Sequence, residues 1–441
     1  MGYTTIAILM FATMMLMLVT GQRVFAAIGF ICSIFALSLW GTGGVEIPFS
    51  ASINLLGWNP LLTLPMFIFL GYMLSESGLA NDLYEMFYVW MGPLRGGLAA
   101  GTIVIMVIVS ALNGLSVAGM AVGNSIALPE LLRRNYDKRM VTGVIQAGST
   151  IGLMIPPSIV LVLYGVIARV PVGQLWVAGI LPGLMLICMF IGYVLIRSWI
   201  NPELAPAMTQ EERANTTWAH RFRMLRAGVV PLVILFLMTG LFLMGITSLV
   251  EMAAVGAVST TVAAALKRRL TPVVIRRTVR KTLSVTCMFM WIILAALAFG
   301  AVFDGLGATK ALEFFLRDEL GLSPFTIIVI MQISFLIMGM FLDDTAMLIL
   351  VAPLYIPIVR SLGFSPVWFG VLYALTTQVA YMTPPFGYNL FLMRAMAPPE
   401  ITLADIYRSI IPFALLLMAG LGILMVFPQL SLWLPGLVYG V

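Results

Sequence analysis

Long runs without a single Asp, Glu, Lys or Arg divide this chain. They cover residues 1–22, 24–45, 47–75, 96–129, 140–168, 170–196, 227–250, 252–266, 282–303, 320–342, 345–359, 361–393 and 409–441. A helix needs about 20 apolar residues to cross the hydrocarbon layer of a bilayer, so most of these runs read as single spans. Three places do not fit. Run 252–266 is short and extends across Glu251 toward Ser248. Run 96–129 is too long for one helix and too short for two plus a turn. Runs 320–342 and 345–359 are split by two adjacent acids, Asp343 and Asp344. The last two places read as re-entrant hairpins over about 96–130 and 323–360, each entering and leaving on one side. Segments 80–95 and 304–320 mix apolar and charged residues ahead of the hairpins and read as arm helices on the membrane surface.

The pattern occurs twice. IGLMIPPSIVL at 151–161 resembles VAYMTPPFGYNL at 379–390, and Pro156–Pro157 lie 228 residues before Pro384–Pro385. The same offset pairs Pro129 with Pro357 and Pro171 with Pro399, and sets Ser116 opposite Asp344; SGLA at 77–80 and DGLG at 304–307 match at nearly that offset. Two units result, 60–197 and 282–427, each a span, a hairpin, a broken helix (140–169 and 366–395) and a further span. Between them, 198–281 holds basic loops and two spans, 228–246 and 249–266. Three crossings in the first unit and two in the linker make an odd number, so the second unit is inverted. The expected fold is an all-α polytopic membrane protein. It has about 10 transmembrane helices plus two re-entrant hairpins, scaffold spans in 1–59 and a tail at 428–441. Inverted repeats with broken helices are the architecture of secondary transporters.

Composition agrees. Of 441 residues, 61% are apolar and only 10% are charged, against about 25% charged in soluble domains. That excludes a large soluble globule and a disordered chain. The net charge of +6 is not a nucleic-acid signature, because the 24 basic residues sit between long apolar runs, most densely in loops 133–139, 197–226 and 267–281. With those loops in the cytoplasm, the N-terminus is periplasmic, 20 basic residues lie inside, and Arg169, Lys310, Arg317 and Arg360 lie outside. Cys32, Cys188 and Cys287 form no CxxC pair, and the single histidine, His220, sits in a polar loop, so no histidine or cysteine metal site is indicated. No Walker A, GxSxG or HExxH sequence occurs. The first 22 residues carry no charge and read as a retained span rather than a cleaved signal.

Candidate chemistry sits where apolar runs are interrupted. Ahead of Pro156–Pro157 stands QAGSTIG, with Gln146, Gly148, Ser149, Thr150 and Gly152. Prolines unwind the helix, and unwound backbone at membrane depth is tolerated only inside protein or beside a water-filled cavity. Carbonyls and hydroxyls there suit a hard cation such as sodium. The alternative is a proline kink with Ser and Thr bonded back to their own helix. The first hairpin tip, ALNGLSVAG at 111–119, carries Asn113, Gly114 and Ser116, either turn residues alone or a site facing half-helix ends. The second tip, GMFLDDTAM at 339–347, places Asp343, Asp344 and Thr345 in an apolar setting, where acids are costly and mark function. If 320–342 and 345–359 were ordinary spans, these acids would lie in a solvated loop instead.

Ordered and paired, several segments carry a family resemblance over nearly the whole chain. They are LPMFIFLGYMLSESGLA (64–80), NGLSVAGMAVGNSIALPELLRRNYDK (113–138), GSTIGLMIPPSIVLVLYG (148–165), GMFLDDTAMLILVAPLYIPIVRSLGFSPVWFGVL (339–372) and TPPFGYNLFLMRAMA (383–397). The chain resembles the large membrane subunit of tripartite ATP-independent periplasmic (TRAP) transporters of the bacterial inner membrane. The resemblance implies sodium-driven import of an organic anion, commonly a carboxylate or a sialic acid, by an elevator movement of the hairpin domain. It implies two partners, a small four-helix membrane subunit and a periplasmic solute-binding protein, and no cofactor beyond sodium as the coupling ion. Carried onto matching positions, the sodium sites would use Asn113, Gly114, Ser116, Gly148, Ser149, Thr150, Gly339, Asp343, Thr376, Thr377 and Thr383. The substrate would lie by Ser116, Pro156, Pro157, Asp344, Thr345, Pro384 and Pro385. The tips depart from the common pattern, with Asn113-Gly114-Leu115-Ser116 in place of a Gly-Ser-Ser-Ala-like turn and Asp343-Asp344 in place of Asp-Pro. Two other readings remain at this stage, a stand-alone ion-coupled carboxylate carrier and an intramembrane enzyme using the adjacent acids.

Overall fold

The computed structural model describes residues 3–20, 22–57, 59–114, 116–207, 218–305, 307, 314, 321–340, 344–384 and 387–440. Regular structure among them is helical throughout. The N-terminal scaffold stretch contains α1 (Tyr3–Val19), α2 (Val24–Trp40) and α3 (Glu46–Leu56), and the first unit opens with α4 (Thr63–Glu76) and the arm α5 (Leu79–Met91). The first hairpin follows as α6 (Gly97–Asn113), α7 (Ser116–Val122) and α8 (Leu128–Arg133). Next come α9 (Lys138–Ile151), α10 (Ile159–Ala168) and the long α11 (Val172–Ile200). The linker helices are α12 (Trp218–Leu243) and α13 (Leu249–Leu266). α14 (Pro272–Gly305) leads from the linker into the second unit, which continues with hairpin arms α15 (Pro324–Gly339) and α16 (Asp344–Ser361), the pair α17 (Pro366–Tyr381) and α18 (Tyr388–Met396), and α19 (Leu403–Val426); the C-terminal stretch holds α20 (Gln429–Tyr439).

The 228-residue offset reaches into local geometry. The second hairpin arms begin at Ser116 and Asp344 and end at Arg133 and Ser361; the helices after them begin at Lys138 and Pro366. Even the turn residues between correspond, since Asn135 (φ 59°) and Gly363 (φ 78°) both adopt the left-handed conformation. Start signals explain the boundaries. The Asp137 carboxylate accepts the backbone N–H groups of Arg139 and Met140 at the start of α9. Ser158 accepts from Leu161 at the start of α10, and a reciprocal Ser248–Glu251 capping box opens α13. In the first hairpin, the second arm passes through a π segment at Gly123–Ala127 just ahead of Pro129. Pro129 lacks an N–H and crowds the preceding turn, which a wider π turn accommodates.

Several expectations change in detail. The run 47–75 is not one span: it breaks at Gly57 and the Asn59–Leu62 turn, where Gly and Asn-Pro punctuate the chain, leaving α3 and α4. α12 begins at Trp218, ten residues ahead of the expected 228, so His220 lies on a helix rather than in a loop. The C-terminal stretch 428–441 is mostly a helix, α20, packed on α11. The second arm segment lies almost wholly outside the described residues. Among the described residues, six helices are long and apolar enough to cross a membrane: Phe25–Ile53, Val172–Ile200, Arg221–Leu243, Leu249–Leu266, Pro272–Gly305 and Leu403–Val426. The expected number of about ten also counted the first span, the span over 47–75 and each broken helix as crossings, and these are shorter apolar helices here.

Two layers pack together. α14 lies against α2, α3 and α4, and α13 and α12 close this layer against α4 and α5. The other layer is built from the hairpins, the broken helices, α11 and α19. Within it, α6 packs on α9, α15 on α17, and α19 on both α9 and α17. Bulky apolar side chains such as Phe236, Leu266, Trp291 and Leu415 stand exposed on the outer surface, as lipid-facing positions do in a membrane protein.

Candidate functional site

Each hairpin's second arm lies against the second half of the other unit's broken helix: α7 packs on α18, and α16 packs on α10. This exchange brings the first tip and both breaks to one centre. Gly114 ends α6 with φ 66°, and a Cβ there would stand 2.5 Å from Ile159 Cγ1, at the start of α10. Only glycine fits both the left-handed backbone and that approach. Ser116, first residue of α7, is 2% exposed and donates through Oγ to Asn389 Oδ1 of α18 at 3.2 Å. Thr150, near the end of α9, contacts Met382 Sδ beside the second break at 3.9 Å.

A second cluster lies beneath the tip. Gly119 of α7 faces the hydroxyls of Ser110 and Ser149, and a Cβ on it would come within 2.1 Å of the first and 2.8 Å of the second. Three helices therefore meet with two hydroxyls between them. The Ser149 hydroxyl donates back to Ile145 O at 2.7 Å. The Ser110 hydroxyl is buried without a partner among the described residues.

The remaining expected residues fall as follows. Gly148 packs α9 on α6, and Gly339 ends α15 against Ala380 of α17. Thr376 donates to Gln332 Oε1 of α15 at 2.6 Å, tying the second broken helix to its own hairpin. Thr150, Thr377 and Thr383 donate to the backbone carbonyls of Ala147, Ala374 and Val379 at 2.8, 2.9 and 2.6 Å. Those hydroxyls are thus bonded to their own helices. Pro156 and Pro157 are buried in the turn between α9 and α10, whereas Pro384 is exposed in the turn after α17. Asn113, Asp344 and Thr345 sit on helices, with side chains outside the described residues; Asp343 and Pro385 lie outside them altogether. The structure therefore gathers Gly114, Ser116, Ser149, Thr150 and the first proline pair, and leaves Thr376, Thr377 and Gly339 on the flank of the second hairpin.

Gln146 stands among the candidates read from the sequence, but Gln332, Gln378 and Asn389 do not, and all four are buried amides. Asn389 is fully buried; its carbonyl takes the Ser116 bond, and its Nδ2 has no partner among the described residues. Gln332 keeps Nε2 unpaired, and Gln146 and Gln378 keep Oε1 unpaired, all buried. A buried unpaired polar group costs about 1–3 kcal/mol; Asn389 lies at the first tip, Gln332 beside Thr376 on the second hairpin, and Gln146 beside Ser409 of α19. Gln378 and Asn389 flank the second proline pair within TTQVAYMTPPFGYN. That position is the signal that could have marked them. Acceptors such as Gln146 Oε1, Gln378 Oε1 and Ser110 Oγ suit a hard cation. Donors such as Asn389 Nδ2 and Gln332 Nε2 suit an anion's oxygens.

A family model described as "Tripartite ATP-independent periplasmic transporter, DctM component" matches residues 9–430. The C4-dicarboxylate TRAP transporter large permease protein DctM of Pseudomonas aeruginosa is 30% identical over 378 residues, 85% of this chain and 86% of that protein. The ectoine/5-hydroxyectoine TRAP transporter large permease protein UehC of Ruegeria pomeroyi is 29% identical over 387 residues, 86% of each chain. The crystal structure of the Alcanivorax borkumensis YdaH transporter has a TM-score of 0.64 to this chain, at 16% identity and covering 90% of both. At that identity the likeness shows a shared fold.

Proposed function

The chain belongs to the DctM component family of tripartite ATP-independent periplasmic transporters, whose large membrane subunit it is, and from that premise we propose that an inward sodium gradient drives it to import an organic anion. The anion is a carboxylate in this reading, delivered by a periplasmic solute-binding protein. A small four-helix membrane subunit completes the assembly in the inner membrane, with the N-terminus of this chain in the periplasm. The concentration of Lys and Arg in 133–139, 197–226 and 267–281 supports that orientation.

One observation carries the proposal: the first hairpin tip and both helix breaks converge on buried polar groups with unused hydrogen-bonding capacity. Such groups are costly in a membrane core unless a ligand meets them in some state of the cycle. Sodium would bind first, drawing hydroxyls and backbone carbonyls at the tips and breaks away from their present helix bonds. The residues proposed are Asn113, Gly114, Ser116, Gly148, Ser149, Thr150, Gly339, Asp343, Thr376, Thr377 and Thr383. The anion would then dock between the tips, by Ser116, Pro156, Pro157, Asp344, Thr345, Pro384 and Pro385, with the bound cation offsetting its charge and desolvation. The hairpin layer would next slide across the scaffold layer as an elevator.

Reconstitution with the partner subunit and a loaded binding protein tests the coupling. Uptake is expected to require an inward sodium gradient and to collapse when potassium replaces sodium. Equal uptake in both cations would overturn sodium coupling. Uptake of free solute by this chain alone would overturn dependence on the binding protein.

A further inference from the structure

Away from the polar centre, a second cavity opens at the basic end of the hairpin layer. It measures about 410 Å³ and is formed by the start of α9, the end of α11 and the first turns of α19. Asp137, Arg139, Tyr193, Arg197, Arg408 and Leu415 are among its lining residues. Its charges are not balanced. Asp137 is occupied in capping α9. Arg139 pairs with Asp405 at 3.2 Å, and the same carboxylate holds Lys138 at 2.7 Å. Arg197 and Arg408 form no ion pair among the described residues. Among the lining residues three arginines thus stand against one carboxylate, Asp137, whose Oδ1 is engaged by the α9 N-terminus, and Arg197 and Arg408 are left without an ion pair among the described residues.

The surroundings place this cavity at headgroup depth. Trp199, exposed and two residues beyond Arg197 on α11, is an interfacial residue by type. On α19, Ile411 and Leu415 are exposed and follow Arg408 at spacings of three and four, so all three share one helix face. The cationic cavity therefore continues directly into an apolar, lipid-facing stripe. We propose that it binds the phosphate headgroup of an anionic phospholipid, whose acyl chains lie along Ile411 and Leu415. Guanidinium groups recognise phosphate oxygens by paired charge-assisted hydrogen bonds. Basic cavities between membrane helices collect anionic headgroups for this reason. The cavity volume suits a headgroup rather than a whole lipid, which leaves the chains to the exposed stripe. The bound lipid would hold the starts of α9 and α19, and α9 carries Gly148, Ser149 and Thr150 at its other end.

The experiment uses the full chain in phosphatidylcholine nanodiscs, titrated with phosphatidylglycerol or cardiolipin and read by native mass spectrometry. R197Q/R408Q is expected to weaken retention of the anionic lipid about 25-fold, a factor of about five for each basic residue near the surface. R197K/R408K is expected to recover most of it. R276Q/R280Q removes the same charge from exposed positions on α14 and is expected to change retention less than twofold. Melting in pure phosphatidylcholine checks that each variant folds. Equal retention by wild type and R197Q/R408Q overturns the proposal. So does an equal loss in R276Q/R280Q, which would make the attraction a general surface effect. Displacement of the lipid by millimolar inorganic phosphate would overturn it too, by making the cavity a site for free anions.

Discussion

At the scale of single residues, the first hairpin tip is the most constrained point in the site. Gly114 has φ 66° and faces Ile159 at the start of α10. Replacement by alanine meets two separate costs. The left-handed conformation costs an L-residue about 1–2 kcal/mol, and the Cβ overlaps Ile159. Gly114→Ala is expected to lower stability in lipid by about 2 kcal/mol or more and to reduce uptake. Adding Ile159→Ala relieves the overlap but not the backbone strain, so the double variant should regain part of the melting temperature and not all. Full recovery would show that backbone conformation is unimportant at this tip. Gly114 and Ser116 are legible in the sequence because polar and flexible residues interrupt an apolar run. Asn389 is not. It lies 273 residues from Ser116 on the far side of a proline break, and only the exchange of arms between units makes them neighbours. Gln332 is hidden for the same reason, as a lone amide in an apolar helix whose partner, Thr376, belongs to another element.

Among elements, the arm α5 shows how charge holds a surface helix to the scaffold. Asp82 accepts from Lys267 Nζ at 2.5 Å and from Arg269 Nη1 and Nη2 at 3.0 and 2.9 Å. The arm is thereby fastened to the corner between α13 and α14, and Arg269 also donates to Gly78 O at the start of the arm. The Asp82 side chain is 10% exposed, while those of Lys267 and Arg269 are 24% and 40% exposed. The cations are therefore partly screened, and the discounted value of the cluster is about 1–2 kcal/mol. Asp82→Asn is expected to lower stability by about that much. The gap between variant and wild type should narrow as salt is raised from about 0.05 to 0.5 M, because screening weakens the native pairs. A gap that stays constant with salt would mean that packing, not charge, is lost. The arm itself is legible in the mixed pattern of residues 80–95. Its anchor is not, since Asp82 and Arg269 are 187 residues apart. The break between α3 and α4 is also hidden from charge counting, because Gly57, Asn59 and Pro60 interrupt a helix without adding a charge.

For the molecule as a whole, the repeat is readable because proline pairs and turns recur at a fixed spacing of 228 residues, which the helix starts and left-handed turns follow. The seam between the layers is not readable, because it joins segments with no shared pattern. A cavity of about 850 Å³ lies along that seam. Glu46, Ala51 and Asp304 line it from α3 and α14 on one wall, and Arg169, Ala352 and Arg360 line it from the hairpin layer on the other. The acids stand on the scaffold and the bases on the layer proposed to move. Arg360 is fixed within its own layer by a bond from Nη2 to Ala168 O at 2.6 Å, so the basic wall would travel as a unit. An elevator must slide one wall past the other, and a tether across the cavity should stop it. With Cys32, Cys188 and Cys287 replaced, A51C/A352C bridged by a flexible, reducible linker is expected to lose more than about nine-tenths of uptake. Cleaving the linker should restore it, while either single cysteine carrying the same reagent remains active. A bridged protein that transports at the unbridged rate would mean that these two walls keep their relative position through the cycle, and the moving boundary would have to be sought elsewhere.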